Sequence, residues 1–287
     1  MNITEAQACA AQLSASSDSP AADVELLLCH ILGCNRTFLF MHREHQLTAQ
    51  QQAQLEQLIQ RRIQGEPVAH LIGSRGFWTF DLEVNATTLI PRPDTECLVE
   101  QALELIPAAA ARVLDLGTGT GAIALALASE RPAWDVVAVD RVAEAVLLAE
   151  NNRQRIGLEN VTVLQGNWFE PVSGVFDLIV SNPPYIDPQD PHLQQGDVRF
   201  EPLSALVAEE NGLADIRYIA SAARRFLVDG GRLLFEHGCD QANAVQRLLA
   251  DLKYSEIGSA QDYGGNDRIT WARWNPPVKQ ENKYDAE

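Results

Sequence analysis

Residues 112–121 read Arg-Val-Leu-Asp-Leu-Gly-Thr-Gly-Thr-Gly. Val113 and Leu114 lead, as a buried strand, into a glycine-rich turn, and residues 122–129 continue as a helix. Strand, glycine turn and helix in that order open a parallel α/β unit. The same alternation extends downstream. Apolar runs predict strands at 136–139, 161–164, 176–180 and 232–236, with two short closing strands near 254–257 and 268–274. Between them, periodicity predicts helices from about Thr95, over 142–155, over 214–227, and once more after Glu236. Together with 113–114 this makes a doubly wound, mostly parallel, seven-stranded sheet.

The pattern upstream is different. The first 70 residues read as a small helical bundle. Thr4-Glu5-Ala6-Gln7 has capping-box form. Ser19-Pro20 places a cap before a proline suited to a first helical turn. Val24, Leu27, Leu28, Ile31 and Leu32 then share one helical face, and Gly33 ends it. Thr48 to Gln51 opens another helix, with Leu55, Leu58, Ile59 and Ile63 on its apolar face and Gly65 and Pro67 at its stop. Next, Trp78, Phe80, Leu82 and Val84 alternate with polar residues, which predicts a strand, half of a hairpin. The expected organisation is a helical domain at 1–70, a β-hairpin linker at 71–90, an α/β domain at 91–275 and a polar tail at 276–287.

The chain of 287 residues is 46% hydrophobic and 21% charged, an ordinary globular composition. Its net charge of −17 argues against general nucleic-acid binding and against an anionic membrane partner. No 18-residue apolar run exists to span a bilayer, and MNITEAQACA lacks the form of a secretory signal. The five cysteines (Cys9, Cys29, Cys34, Cys97 and Cys239) are widely spaced, so reduced, mostly buried thiols are expected and a metal site is not. These features suggest a cytoplasmic protein.

The turn Asp115-Leu-Gly117-Thr118-Gly119-Thr120-Gly121 has Gly-x-Gly-x-Gly spacing, unlike the dinucleotide fingerprint or a phosphate loop. Glycines let backbone approach a ligand closely. Asp115 would repel a pyrophosphate but suits a cationic ammonium. Asp140, ending the next strand, suits ribose hydroxyls. A nucleoside joined to an amino acid without phosphate fits both, and S-adenosylmethionine is such a molecule. After the third strand, Trp168 suits stacking on adenine and Asn167 suits its edge. The sequence then reaches Asn182-Pro183-Pro184-Tyr185. A planar nitrogen with two hydrogens is a poor nucleophile, because its lone pair is delocalised. Acceptors from the Asn182 side chain and the Pro183 carbonyl would orient it and stabilise the charge that grows as it attacks a methyl group. Tyr185 offers a flat packing face. No strong base is needed before attack.

With these residues in view, the chain closely resembles the bacterial release-factor glutamine methyltransferases, the PrmC/HemK family, from the N-terminus to about Trp274. The resemblance rests on Ile90-Pro-Arg-Pro-Asp-Thr-Glu96, the glycine turn, Asn182-Pro-Pro-Tyr185 and Gly196-Asp-Val-Arg-Phe-Glu-Pro202. It implies a class I S-adenosylmethionine-dependent methyltransferase fold. It implies that Gly117 to Gly121, Asp140, Trp168 and Asn182 contact the cofactor and that Asn182 to Tyr185 grip the substrate glutamine. It also implies that the helical domain docks a class-I peptide chain release factor. Asn167 departs from the Asp common at that place. Arg92 and Glu96 could pair or cover the site, as could Arg199 and Glu201. Related reactions share the Asn-Pro-Pro-Tyr chemistry, on a ribosomal-protein glutamine or on adenine in nucleic acid, but the acidic charge disfavours the latter.

Overall fold

The computed structural model describes residues 1–276. The tail expected at 276–287 therefore lies outside the described residues beyond Pro276. Contacts divide the chain into two units.

The first unit holds 1–76, 81–90 and 189–205. Its helices are α1 (Ile3–Gln7), α2 (Pro20–Leu32), α3 (Arg36–Met41), α4 (Ala49–Ile63) and α5 (Val68–Ile72). The first capping box sits two residues earlier than the sequence suggests. Asn2 accepts from the Glu5 N–H and Glu5 accepts from the Asn2 N–H, so Thr4 lies inside the helix. Thr48 and Gln51 form the second box as expected. Ile3, Leu13, Val24, Leu27, Leu28, Leu55 and Ile59 fill the core. Ile63, expected on the apolar face, is 37% exposed. The last turn of α4 gives its inward position to Arg62. That guanidinium bonds Asp23 and Asp197, each at 2.7 Å, and the Gly65 and Glu66 carbonyls.

Segment 189–205 falls within the α/β domain by sequence, yet by contacts it groups with the helices. Asp197 on Arg62 is one reason. Another is Arg199, whose guanidinium fills the space a side chain at Gly65 would need and donates to the Gln64 carbonyl. A third is Glu201, whose buried carboxylate accepts the Ile90 N–H at 2.9 Å.

The hairpin expected at 71–90 is present, but its strand begins at Phe80, and Trp78 and Thr79, expected as strand, form its turn. β1 (Ser74–Phe77) pairs with β2 (Phe80–Glu83), and Trp78 takes φ 56° in the turn. The backbone N–H of Trp78 donates to Glu96 and its indole to Glu130, which holds this strained residue in place.

The second unit holds 77–80, 91–188 and the chain from 206 onward. It runs α6 (Asp94–Leu105), β3 (Arg112–Leu116), α7 (Ala122–Glu130), β4 (Asp135–Asp140), α8 (Ala143–Ile156), β5 (Val161–Gln165), β6 (Phe176–Ser181), the single turn α9 (Glu209–Gly212), α10 (Ala214–Ala223), β7 (Leu227–Glu236), α11 (Ala242–Asp251), β8 (Ser255–Gln261) and β9 (Asp267–Arg273). The sheet order is β5-β4-β3-β6-β7-β9-β8. The first five strands are parallel and β9 is antiparallel to both neighbours. This is the expected doubly wound, seven-stranded architecture. Central strands such as β3 and β6 bury consecutive residues instead of alternate ones, because both their faces are covered. The helix expected to reach 227 stops at Ala223, because β7 begins early and passes Gly230 (φ 80°) in an irregularity of its pairing.

The chain winds from β3 outward to β5, then returns to β6 on the other side of β3. Ligands of such sheets lie beyond the carboxyl ends of the strands at this reversal. The Ser181 hydroxyl donates to the Leu116 carbonyl at 2.7 Å and joins the ends of β3 and β6 there. Among the described residues no helix is long and apolar enough to cross a membrane, and no cluster of metal-ligating side chains is found. All five cysteines are free, but only Cys97 is buried, and Cys239 at the surface departs from the expected pattern.

Candidate active site

Three positive φ angles shape the turn after β3, at Gly117 (74°), Gly119 (55°) and Gly121 (86°). A side chain on Gly121 would press on Leu125 and Ala149, so glycine here lets α7 and α8 pack closely. The Gly117 and Thr118 N–H groups donate to the Val139 carbonyl. The Gly119 N–H donates to one Asp140 oxygen and the Val142 N–H to the other, each at 2.9 Å. Asp140 thus ties the glycine turn to the end of β4. Each of its oxygens keeps a second lone pair for a hydroxyl.

Asp115 is fully buried at the end of β3. One oxygen accepts from the Thr118 hydroxyl at 2.6 Å, and the other has no hydrogen-bond partner. Burial, only partly offset by that hydroxyl and by the backbone N–H of Ala124, raises its pKa from 3.8 to about 7. A buried acceptor left unsatisfied is costly, and a cationic donor would satisfy it. Beyond β5, Trp168 takes φ 50°, and its ring lies 3.4 Å from where a Gly117 side chain would begin. A flat aromatic surface therefore borders the turn. Asn167 beside it is exposed, with its N–H on the Glu170 carboxylate. An unsatisfied buried carboxylate, three glycines with left-handed backbone, a carboxylate at the next strand end and an aromatic face suit S-adenosylmethionine as cofactor. Its ammonium, ribose and adenine match these groups in turn.

Asn182 to Tyr185 follow β6 directly. Pro183 is buried and Asn182 half-buried. The Asn182 amide donates through Nδ2 to the Thr95 hydroxyl of α6 at 3.3 Å, which leaves Oδ1 free to accept. The Tyr185 hydroxyl donates to Glu236 at 3.3 Å, and its backbone carbonyl accepts from Gln241 at 2.9 Å. Burial and the Glu236 charge push the Tyr185 phenol well above its ordinary pKa. Gly212 packs against the same carbonyl. A side chain there would begin 1.9 Å from the Tyr185 oxygen.

The expected residues therefore gather at the ends of four adjacent strands: Asp115 and Gly117 to Gly121 after β3, Asp140 at β4, Asn167 and Trp168 after β5, and Asn182 to Tyr185 after β6. Thr95, Glu236, Gln241 and Gly212 were not anticipated. Glu236 had a signal: an acid ending a strand, the same cue that marked Asp140. Of the two motif pairs, Glu96 binds the Trp78 N–H and Glu201 the Ile90 N–H, so each acid anchors backbone.

A family model for the PrmC N-terminal domain matches residues 6–73, and one for a methyltransferase domain matches residues 108–282. The release factor glutamine methyltransferase of Yersinia pestis is 55% identical over 274 residues, covering 96% of this chain and 99% of that one. The Escherichia coli K12 protein of the same name is 55% identical over 260 residues, covering 90% and 94%. A crystal structure of a methyltransferase from Pyrococcus furiosus shares the fold, with TM-score 0.54 at 18% identity over 79% of this chain and all of that one. By identity and coverage together, this chain belongs to the release factor glutamine methyltransferase family.

Proposed function

We propose that this protein transfers a methyl group from S-adenosylmethionine to the side-chain amide nitrogen, N5, of the glutamine in the Gly-Gly-Gln motif of class-I peptide chain release factors. The observation that carries this reading is the Asn182 amide, held by Thr95 with its oxygen free, next to the rigid buried Pro183. When bound, S-adenosylmethionine supplies a methyl group activated by a sulfonium. Asp115 takes the cofactor ammonium, Asp140 the ribose, and Trp168 with Asn167 the adenine. Asn182 Oδ1 and the Pro183 carbonyl each accept one N–H of the glutamine amide. They turn its nitrogen toward the methyl group and stabilise the positive charge that develops there. Tyr185 and Pro184 pack the flat amide. Methyl transfer from the bound cofactor would leave the amide nitrogen with one proton in excess, which passes to water.

The helical unit docks the release factor, a role supported by Phe40 and Met41 on α3, both 69% exposed. The two are adjacent, and with the Arg43 guanidinium over the Phe40 ring they offer a partner protein an apolar surface beside a cation. Release factors act at the ribosome, so the protein works in the cytoplasm.

The test is Asn182→Ala with a release factor as methyl acceptor. Turnover falls about 100-fold while the cofactor Kd changes by less than about threefold. Equal losses in both would make Asn182 a cofactor ligand only.

A further inference from the structure

Glu236 is buried, at 2% exposure, at the end of β7, and the reaction as derived does not use it. Four groups face it. Tyr185, from the loop after β6, donates its hydroxyl to one carboxylate oxygen. Thr95, from α6, sets its hydroxyl beside the carboxylate and favours the charged form. Arg268 of β9 favours the same form, and Asp94 of α6 opposes it. The neighbouring His237 turns away to the Thr270 hydroxyl at 2.8 Å. The second Glu236 oxygen has no hydrogen-bond partner.

Hydrogen-bond polarity gives this arrangement a consequence. An ionised carboxylate only accepts. Beside it, the Thr95 proton is drawn toward Glu236, so the Thr95 lone pairs face Asn182. They can meet only the NH2 end of that amide, as observed at 3.3 Å. The oxygen of Asn182 is then forced to the other side. An asparagine amide is nearly symmetric in shape, so without such a neighbour both orientations fit equally well.

We infer that Glu236 is a positioning residue: through the Thr95 hydroxyl it fixes the Asn182 amide with its oxygen turned to the substrate nitrogen. The inference rests on the reading of Asn182 given above. A flipped amide would present two donors to a substrate that also presents donors, and turnover would stop.

The burial of Glu236 raises its pKa to about 7. Below that pH it carries a proton, can donate to Thr95, and no longer dictates the amide's orientation. The wild-type kcat therefore falls on the acid side.

The test compares Glu236→Gln, Thr95→Val, Thr95→Ser and the Glu236→Gln/Thr95→Val double variant, in the full chain with a release factor. Glu236→Gln and Thr95→Val each lower kcat about 100-fold, with KM and cofactor Kd unchanged, and the double variant is no worse than either. Thr95→Ser, which keeps the hydroxyl, restores kcat relative to Thr95→Val. Glu236→Gln also loses the acid limb of the pH profile. Should Glu236→Gln fail to fold, the Thr95 pair carries the test. Full kcat in Glu236→Gln, or equal losses in Thr95→Ser and Thr95→Val, would overturn the inference. Asn182→Ala measured alongside separates the two readings. If Asn182→Ala is inactive while Glu236→Gln is active, only the role of Glu236 falls. If Asn182→Ala is fully active, the substrate reading falls and takes this inference with it.

Discussion

Replacing Gly212 by alanine is the sharpest mechanical test of how the Asn-Pro-Pro-Tyr loop is held. Glu210, Asn211 and Gly212 take φ of 58°, 56° and 81°, a run of left-handed backbone that bends the chain against Tyr185. The new methyl carbon would begin 1.9 Å from the Tyr185 carbonyl oxygen and 2.7 Å from Gln241 Nε2. Real contacts of this kind essentially never fall under 3.0 Å, so backbone must yield by at least 1.1 Å, the difference between 3.0 and 1.9 Å. The left-handed backbone alone costs alanine about 1–2 kcal/mol. Losing the two Gln241 bonds, to the Tyr185 and Asn211 carbonyls, adds about 1 kcal/mol each. The total of about 3–4 kcal/mol lowers Tm by about 6–16 °C at this chain size. A shift of about 1 Å in the loop also lowers kcat about 100-fold. Gly157→Ala is the control. Gly157 has φ 82° but nothing within 4 Å of the added carbon, so it carries the backbone cost alone. Thermal melts and steady-state methyl transfer on both variants give the comparison. Equal Tm and kcat for Gly212→Ala and Gly157→Ala would refute the reasoning.

Other consequences are open to measurement. The folded chain holds a proton on Asp115 between its ordinary pKa of 3.8 and about 7, where the unfolded chain has lost it. The Asp115 contribution to stability therefore falls as pH rises through that window, and is at its lowest above pH 7. Melts of the cofactor-free protein should show wild type losing ground to Asp115→Asn from pH 4 to pH 7; a gap that widens in the opposite direction contradicts the assignment. Arg62→Met strands the buried carboxylate of Asp23 and should cost about 3–5 kcal/mol by denaturant unfolding, whereas a change below about 1 kcal/mol would mean the ion pair is dispensable. Asp140→Ala removes two backbone anchors of the glycine turn as well as the ribose acceptor, so calorimetry should show the cofactor bound at least about 10-fold more weakly. An unchanged Kd would remove Asp140 from the binding site.

Much of the second unit is legible in the sequence because its signals are local. An apolar run followed by glycines and a helix can be only a strand, a tight turn and a crossover, and the acids at strand ends mark the site edge. Asp115, Asp140 and Asn182 could be placed without coordinates for that reason. Thr95, Glu236 and Gly212 could not, because each matters through a neighbour distant in sequence: Thr95 meets Asn182 and Gly212 meets Tyr185. The same limit explains the segment 189–205. Its order along the chain assigns it to the catalytic domain, but Asp197 finds Arg62 across the fold. Short-range rules also misread Trp78, where strand-like alternation conceals a hairpin turn held by Glu96 and Glu130.

The central claim is methyl transfer to one glutamine. Tritiated S-adenosylmethionine, the purified protein and a class-I release factor test it directly, with the factor intact and with its Gly-Gly-Gln glutamine changed to alanine. Label on the intact factor alone is the predicted result. Label on both factors, or on neither, would contradict the assignment of Asn182 and Pro183 as the grip on that amide.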